Sequence, residues 1–117
     1  MYNKRDKGKK YENLVAEYLE ENGYKIIEKN FRSRAGEIDI IFKDEDTIVF
    51  GEVKYRKNIS CGYGHEAVNY KKQKNIYETA RYFLYKNHIP ETCKCRFDVI
   101  AVIENKIEHI VNAFGGF

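Results

Sequence analysis

The chain has 117 residues, 43% hydrophobic, 33% charged and 15% aromatic, with one proline. That suffices for a single domain with a buried core, and it excludes a disordered, collagen-like or disulfide-dense scaffold. The net charge of +3 is too small to identify a partner, and no apolar run reaches membrane-spanning length.

Residues 1–8 are expected to form a flexible basic arm of one 1–117 domain. Five basic residues and one acid fall between Asn3 and Lys10. From about Lys9 a helical period sets in, with Tyr11, Leu14, Val15, Tyr18 and Leu19 on one stripe and Gly23 as a stop. Glu12 lies in the first turns of this helix. It is a solvated acid favoured by the helix dipole, unless the helix crosses a sheet and carries it to a site.

Tyr24 to Phe31 reads as an edge strand, followed by the basic turn Arg32-Ser33-Arg34-Ala35-Gly36. Two apolar runs then flank an acidic turn: Glu37 to Lys43, Asp44-Glu45-Asp46, and Thr47 to Lys54. This is a β-hairpin pattern. Glu37 and Asp39 are two apart on one strand, and Glu52 and Lys54 are two apart on the next. Period-2 alternation puts each pair on one face. Such a concentration of charge is costly unless the groups pair, hold a metal or do chemistry.

Asn58 to His65 is a loop with Gly62 and Gly64 around Tyr63. A helix follows from about Glu66 to Asn87, with Ala67, Ile76, Ala80, Phe83 and Leu84 on its apolar stripe. Its early turns carry a basic set from Lys71 to Lys74, and a further set is Lys54, Arg56 and Lys57. Arg96 to Ile103 reads as a strand buried on both faces, and Ile107 to Val111 as a last strand. The order α-β-β-β-α-β-β predicts a three-layer α/β (α+β) domain with a central mixed sheet. The long connection before the Arg96 strand permits parallel pairing.

The cysteines make no zinc site: Cys61 stands alone, and Cys93 and Cys95 are one residue apart. An odd number of thiols and no recognisable signal segment fit a soluble, cytoplasmic protein with no membrane partner. His65 and His109 are read as surface or structural, and Asp98 as a structural hydrogen-bond acceptor.

Two chemistries fit the hairpin. Asp39 and Glu52 on adjacent strands can hold Mg²⁺ or Mn²⁺ through hard oxygens, with the Val53 carbonyl as a further ligand and Glu12 joining from the helix. Lys54 can then orient or deprotonate a metal-bound water or stabilise phosphate charge, which describes phosphodiester hydrolysis with basic residues holding a DNA backbone. Alternatively, Lys54 pairs with Asp39 or Glu52 in cross-strand salt bridges worth less than about 1 kcal/mol each.

Asp39, followed after an apolar strand by Glu52-Val53-Lys54, resembles the PD-(D/E)xK signature of restriction-endonuclease-like nucleases. The wider series includes Gly36-Glu37-Ile38-Asp39-Ile40-Ile41, Glu52-Val53-Lys54 with Arg56, and Glu66-Ala67-Val68. It continues with Arg96-Phe97-Asp98-Val99, Ile107-Glu108-His109-Ile110 and Asn112-Ala113-Phe114. In this order it is similar to the YraN-type family, small bacterial proteins catalogued as an uncharacterised family. The resemblance implies a restriction-endonuclease-like fold akin to archaeal Holliday-junction resolvases, and a metal-dependent DNA endonuclease with no small-molecule cofactor. It casts Asp39, Glu52 and Lys54 as the catalytic motif and Glu12 as the helical glutamate of resolvase-like relatives. Glu37 is secondary, and Lys72 and Gln73 face substrate with Arg34 and Arg56. Ile38 stands at the motif proline, Gly51 where a β-branched residue is expected, and Tyr55, His65 and Tyr70 also depart from the pattern.

Duplex or branched DNA is the expected partner. A non-cutting nucleic-acid-binding or repair-adaptor module is the alternative. A homodimer is a further possibility, with Phe114 and Phe117 in an apolar tail.

Overall fold

The computed structural model describes residues 4–56 and 69–115, with side chains from Lys10 onward except that of Arg56. Among the described residues seven elements follow one another: α1 (Lys4–Glu21), β1 (Lys25–Arg32), β2 (Glu37–Asp44), β3 (Thr47–Arg56), α2 (Tyr70–Lys86), β4 (Cys95–Ile103) and β5 (Lys106–Phe114). The strands form one sheet in the order β1-β2-β3-β4-β5. Only β3 and β4 run parallel; the other neighbours are antiparallel. This is the expected α+β order with a mixed sheet, and β1 is an edge strand as expected.

Helix α1 begins at Lys4 rather than near Lys9, so much of the stretch read as an arm has helical backbone. Lysine and arginine are good helix formers, and a single glycine such as Gly8 is tolerated at a cost of about 1 kcal/mol. Its end is set by Gly23, whose φ of 88° only glycine adopts cheaply. There the Gly23 N–H donates to Glu20 O and the Tyr24 N–H to Leu19 O, closing a Schellman motif.

Helix α2 begins at Tyr70, not Glu66, because Asn69 caps it: the Asn69 side chain accepts the Lys72 N–H at 2.9 Å. Residues 57–68, with the expected Gly62–Gly64 loop, Cys61, Tyr63, His65 and the Glu66-Ala67-Val68 match, lie outside the described residues. Strand β5 extends to Phe114, beyond the expected Val111, although Asn112 has a positive φ. Phe114 of the expected apolar tail ends β5 and stacks on Phe97 at 5.2 Å, and Phe117 lies outside the described residues.

The helices cover opposite faces of the sheet. On one side Val15, Ala16 and Leu19 of α1 meet Ile40, Phe42, Val49, Ile100 and Val102. On the other, Ile76, Ala80, Phe83 and Leu84 of α2 meet Ile41, Ile48, Phe50 and Val99. Burying each of these large side chains contributes roughly 1.5–3 kcal/mol. Strand β4 is buried from Asp98 through Val102, as expected for a strand covered on both sides. Among the described residues, no helix is long and apolar enough to cross a membrane.

Candidate functional site

The site follows from strand parity. Phe50 faces α2, so Glu52 and Lys54, two and four residues on, emerge on the same side. Residue 40 pairs with Gly51, which sets Asp39 beside Glu52 on the neighbouring strand. A cavity of about 230 Å³ forms between this corner of the sheet and α2. It is lined by Gly36, Glu37, Asp39, Glu52, Lys72, Asn75 and Ile76. Gly36 lies directly against α2: a Cβ there would touch Asn75 Cβ at 3.4 Å, an ordinary van der Waals contact. The turn is fastened to α2 by the Ser33 and Thr79 hydroxyls, 2.9 Å apart.

Glu52 is only 5% exposed, and two ammonium groups share its Oε1: Lys72 Nζ at 2.5 Å and Lys54 Nζ at 3.4 Å. Asp39 Oδ2 accepts the Val53 N–H at 2.8 Å. Burial, and then the nearby Glu52 charge, raise the Asp39 carboxyl to about 7, against the Val53 hydrogen bond, which lowers it. The two lysines differ. Burial and the neighbouring Lys72 lower Lys54. Burial also pulls on Lys72, but Glu52 outweighs it and Lys72 is raised.

The structure brings Asp39, Glu52, Lys54 and Lys72 together, with Glu37 on the same cavity and ion-paired to Arg32 at 3.3 Å. Glu12 is placed elsewhere: its Oε2 accepts from Asn30 Nδ2 at 3.2 Å. Val53 contributes its N–H to Asp39, and its backbone is in register with Ile100 of β4. Arg34 lines an adjacent cavity of about 310 Å³ with Ser33, Ala35, Glu78 and Tyr82. Gln73 does not line the carboxylate cavity, and the Arg56 side chain lies outside the described residues.

Sequence reasoning missed Asn75 and the direct contact of Lys72 with Glu52. The signal for Asn75 was its position one helical turn after Lys72.

Among the described residues, no group of three or more His, Cys, Asp and Glu side chains is placed to hold a metal. Two hard carboxylates that repel each other beside a solvent-open cavity nevertheless form a donor set suited to Mg²⁺ or Mn²⁺, which complete their shells with water. The Lys72 ammonium on Glu52 shows that a positive charge is accommodated there.

Away from this cavity, Asp98 is fully buried and structural, as expected. It accepts from Arg96 Nε at 3.1 Å, pairs with His109 Nε2 at 2.7 Å and caps the Asn112 N–H at 2.9 Å. His109 is packed between Tyr24 and Phe42, so its role is also structural.

Fold and site together define a small α+β protein with a carboxylate–lysine cavity at the junction of a β-hairpin and a crossover helix. The chain belongs to the family described as Uncharacterised protein family UPF0102, which it matches over residues 11–102. It is 49% identical over 114 residues to a UPF0102 protein of Clostridioides difficile, covering 96% of this chain and 99% of that one. A UPF0102 protein of Lachnoclostridium phytofermentans is 44% identical over 115 residues, 98% of each chain. One of Persephonella marina is 46% identical over 108 residues, 92% of each.

Proposed function

We propose that this protein is a metal-dependent DNA endonuclease of the restriction-endonuclease-like class, using Mg²⁺ or Mn²⁺ on duplex or branched DNA. The observation that carries this reading is the meeting of Asp39, Glu52 and Lys72 at one cavity, with Lys54 reaching the same Glu52 carboxylate. Asp39, Glu52 and Lys54 stand in the chain in the order of the nuclease signature.

Asp39 and Glu52 would hold the ion, which would supply Lewis-acid polarisation of the phosphate and a more acidic water. Lys54, held low by burial and by Lys72, is the lysine better able to orient the attacking water and take its proton. Lys72 keeps its charge beside Glu52 and offsets negative charge that develops on the phosphate. Arg34, Arg56 and Gln73 hold the DNA backbone. Glu12, held to Asn30, has the weaker claim to the ion.

The test is incubation with labelled duplex, single-stranded and four-way DNA in Mg²⁺ or Mn²⁺. Cleavage is expected, abolished by chelation and reduced on the order of 100-fold or more in Asp39→Ala and Glu52→Ala. Full-strength cleavage by both variants would overturn the assignment.

The second reading is a module that binds DNA without cutting it. It draws support from the Lys72–Glu52 ion pair, which neutralises the cavity without a metal. It predicts salt-sensitive binding indifferent to Mg²⁺ and no hydrolysis with either metal.

A further inference from the structure

We propose that Cys93 and Cys95 form a dithiol modification site, which a low-molecular-weight disulfide converts to an intramolecular disulfide. Their sulfurs lie 3.3 Å apart on either side of Lys94. The backbone around them is held in place. The Cys93 N–H donates to Pro90 O at 3.0 Å, the Lys94 carbonyl accepts the Ile48 N–H at 2.9 Å, and Cys95 is in register with Ile48. Once one of two thiols fixed this closely carries a mixed disulfide, the other attacks it in a unimolecular step.

The pair is also reachable. Cys95 is exposed, Cys93 is half-buried, and both line a cavity of about 220 Å³. Arg81 and Glu91, joined at 3.2 Å, line the same cavity and offer both signs of charge to a zwitterionic peptide disulfide.

The chemistry is thiol–disulfide exchange. Burial of its sulfur, and then the hydrogen bond to Cys93, push the Cys95 thiol up to about 12. The Cys93 thiolate attacks one sulfur of the small disulfide, forms a mixed disulfide and expels the first thiolate. Cys95 then attacks Cys93 Sγ, its proton passes to solvent or to the departing thiolate, and the second small thiol leaves. Two electrons pass from the two cysteines to the small disulfide, which ends as two thiols. A ring this small gains little chain-entropy stabilisation, so the bond reopens readily in excess reductant.

The experiment uses the full chain carrying Cys61→Ser and oxidised glutathione as the probe. Intact mass is expected to fall by two hydrogens, with both reactive thiols lost from the thiol titre and restored by dithiothreitol. Cys93→Ser and Cys95→Ser, each in that background, are expected to stop at a one-glutathione adduct. Peptide mapping of the unsubstituted chain provides the same readout should Cys61→Ser disturb folding. Retention of both thiols, a stable glutathione adduct on the intact pair, or a disulfide between two chains would each overturn the proposal.

Discussion

Lys72 Nζ sits 2.5 Å from Glu52 Oε1, nearer than Lys54, the lysine of the nuclease-like motif. The helix thus supplies the closer counter-ion to a strand carboxylate that is almost fully buried. Lys72→Met is expected to destabilise the fold by about 1 kcal/mol, a modest value because the lysine is partly exposed and Lys54 remains. Urea unfolding beside the exposed Lys71→Met gives the measurement. A double-mutant cycle with Glu52→Gln separates the pair's own coupling, and no coupling would contradict the contact.

Asp39 predicts a pH dependence in metal-free buffer. Its carboxyl is raised to about 7 in the native state, whereas an unfolded chain ionises it near ~3.9. Between these values the native state holds the extra proton, so this group's contribution to stability falls as pH rises through the window and is level above it. Asp39→Asn keeps an acceptor for the Val53 N–H and is expected to flatten that slope and to be more stable than the parent at about pH 8. Urea midpoints in chelator across that range test it; equal slopes in both proteins would rule it out.

Asp98 behaves in the opposite way. Burial alone would raise its carboxyl, but His109, Arg96 and the Asn112 N–H outweigh burial and hold it below its ordinary value. Its contribution is present above about pH 4, where the unfolded carboxylate ionises, and is lost as pH falls through the lower native value. Asp98→Asn is expected to cost about 1–3 kcal/mol at neutral pH, because it removes the buried carboxylate shared by Arg96, His109 and the Asn112 N–H while Asp44 still pairs with Arg96 at 2.6 Å. Acid titration followed by circular dichroism should show a shallower low-pH transition in the variant.

Gly51 is kept small by its neighbours. A Cβ there would meet Ile40 Cγ2 at 2.9 Å and Ile100 Cδ1 at 3.0 Å, so those two isoleucines fill the volume that a larger residue would take. Gly51→Val is expected to destabilise by about 1–3 kcal/mol through overpacking. Adding Ile40→Ala should recover part of the loss, although the Ile40 carbonyl, 3.4 Å away, cannot withdraw. Thermal midpoints of the single and double variants decide the point.

The legible parts of this chain were those governed by local rules. Period-2 alternation placed Glu52 and Lys54 on one face, and Gly23 marked the end of α1 because its backbone conformation requires glycine. What escaped depended on long-range placement. The angle of α2 over the sheet decides that Lys72 reaches Glu52, and no spacing within the chain encodes it. Glu12 shows the converse: its position on α1 permits several neighbours, and the packing of β1 selects Asn30. Strand β5 outran its expected end because its pairing with β4 continues to Phe97–Phe114 across a register shift that breaks the sequence pattern.

The single parallel seam between β3 and β4 carries a consequence for assembly. Strands β1 to β3 and the β4–β5 pair each close through short local connections, whereas the seam must wait for α2 to cross the sheet. Loop closure makes such a non-local pairing the slower event. The cavity is built where that crossing lands, so substitutions at Lys72 are expected to slow folding as well as speed unfolding, a division that stopped-flow kinetics would register.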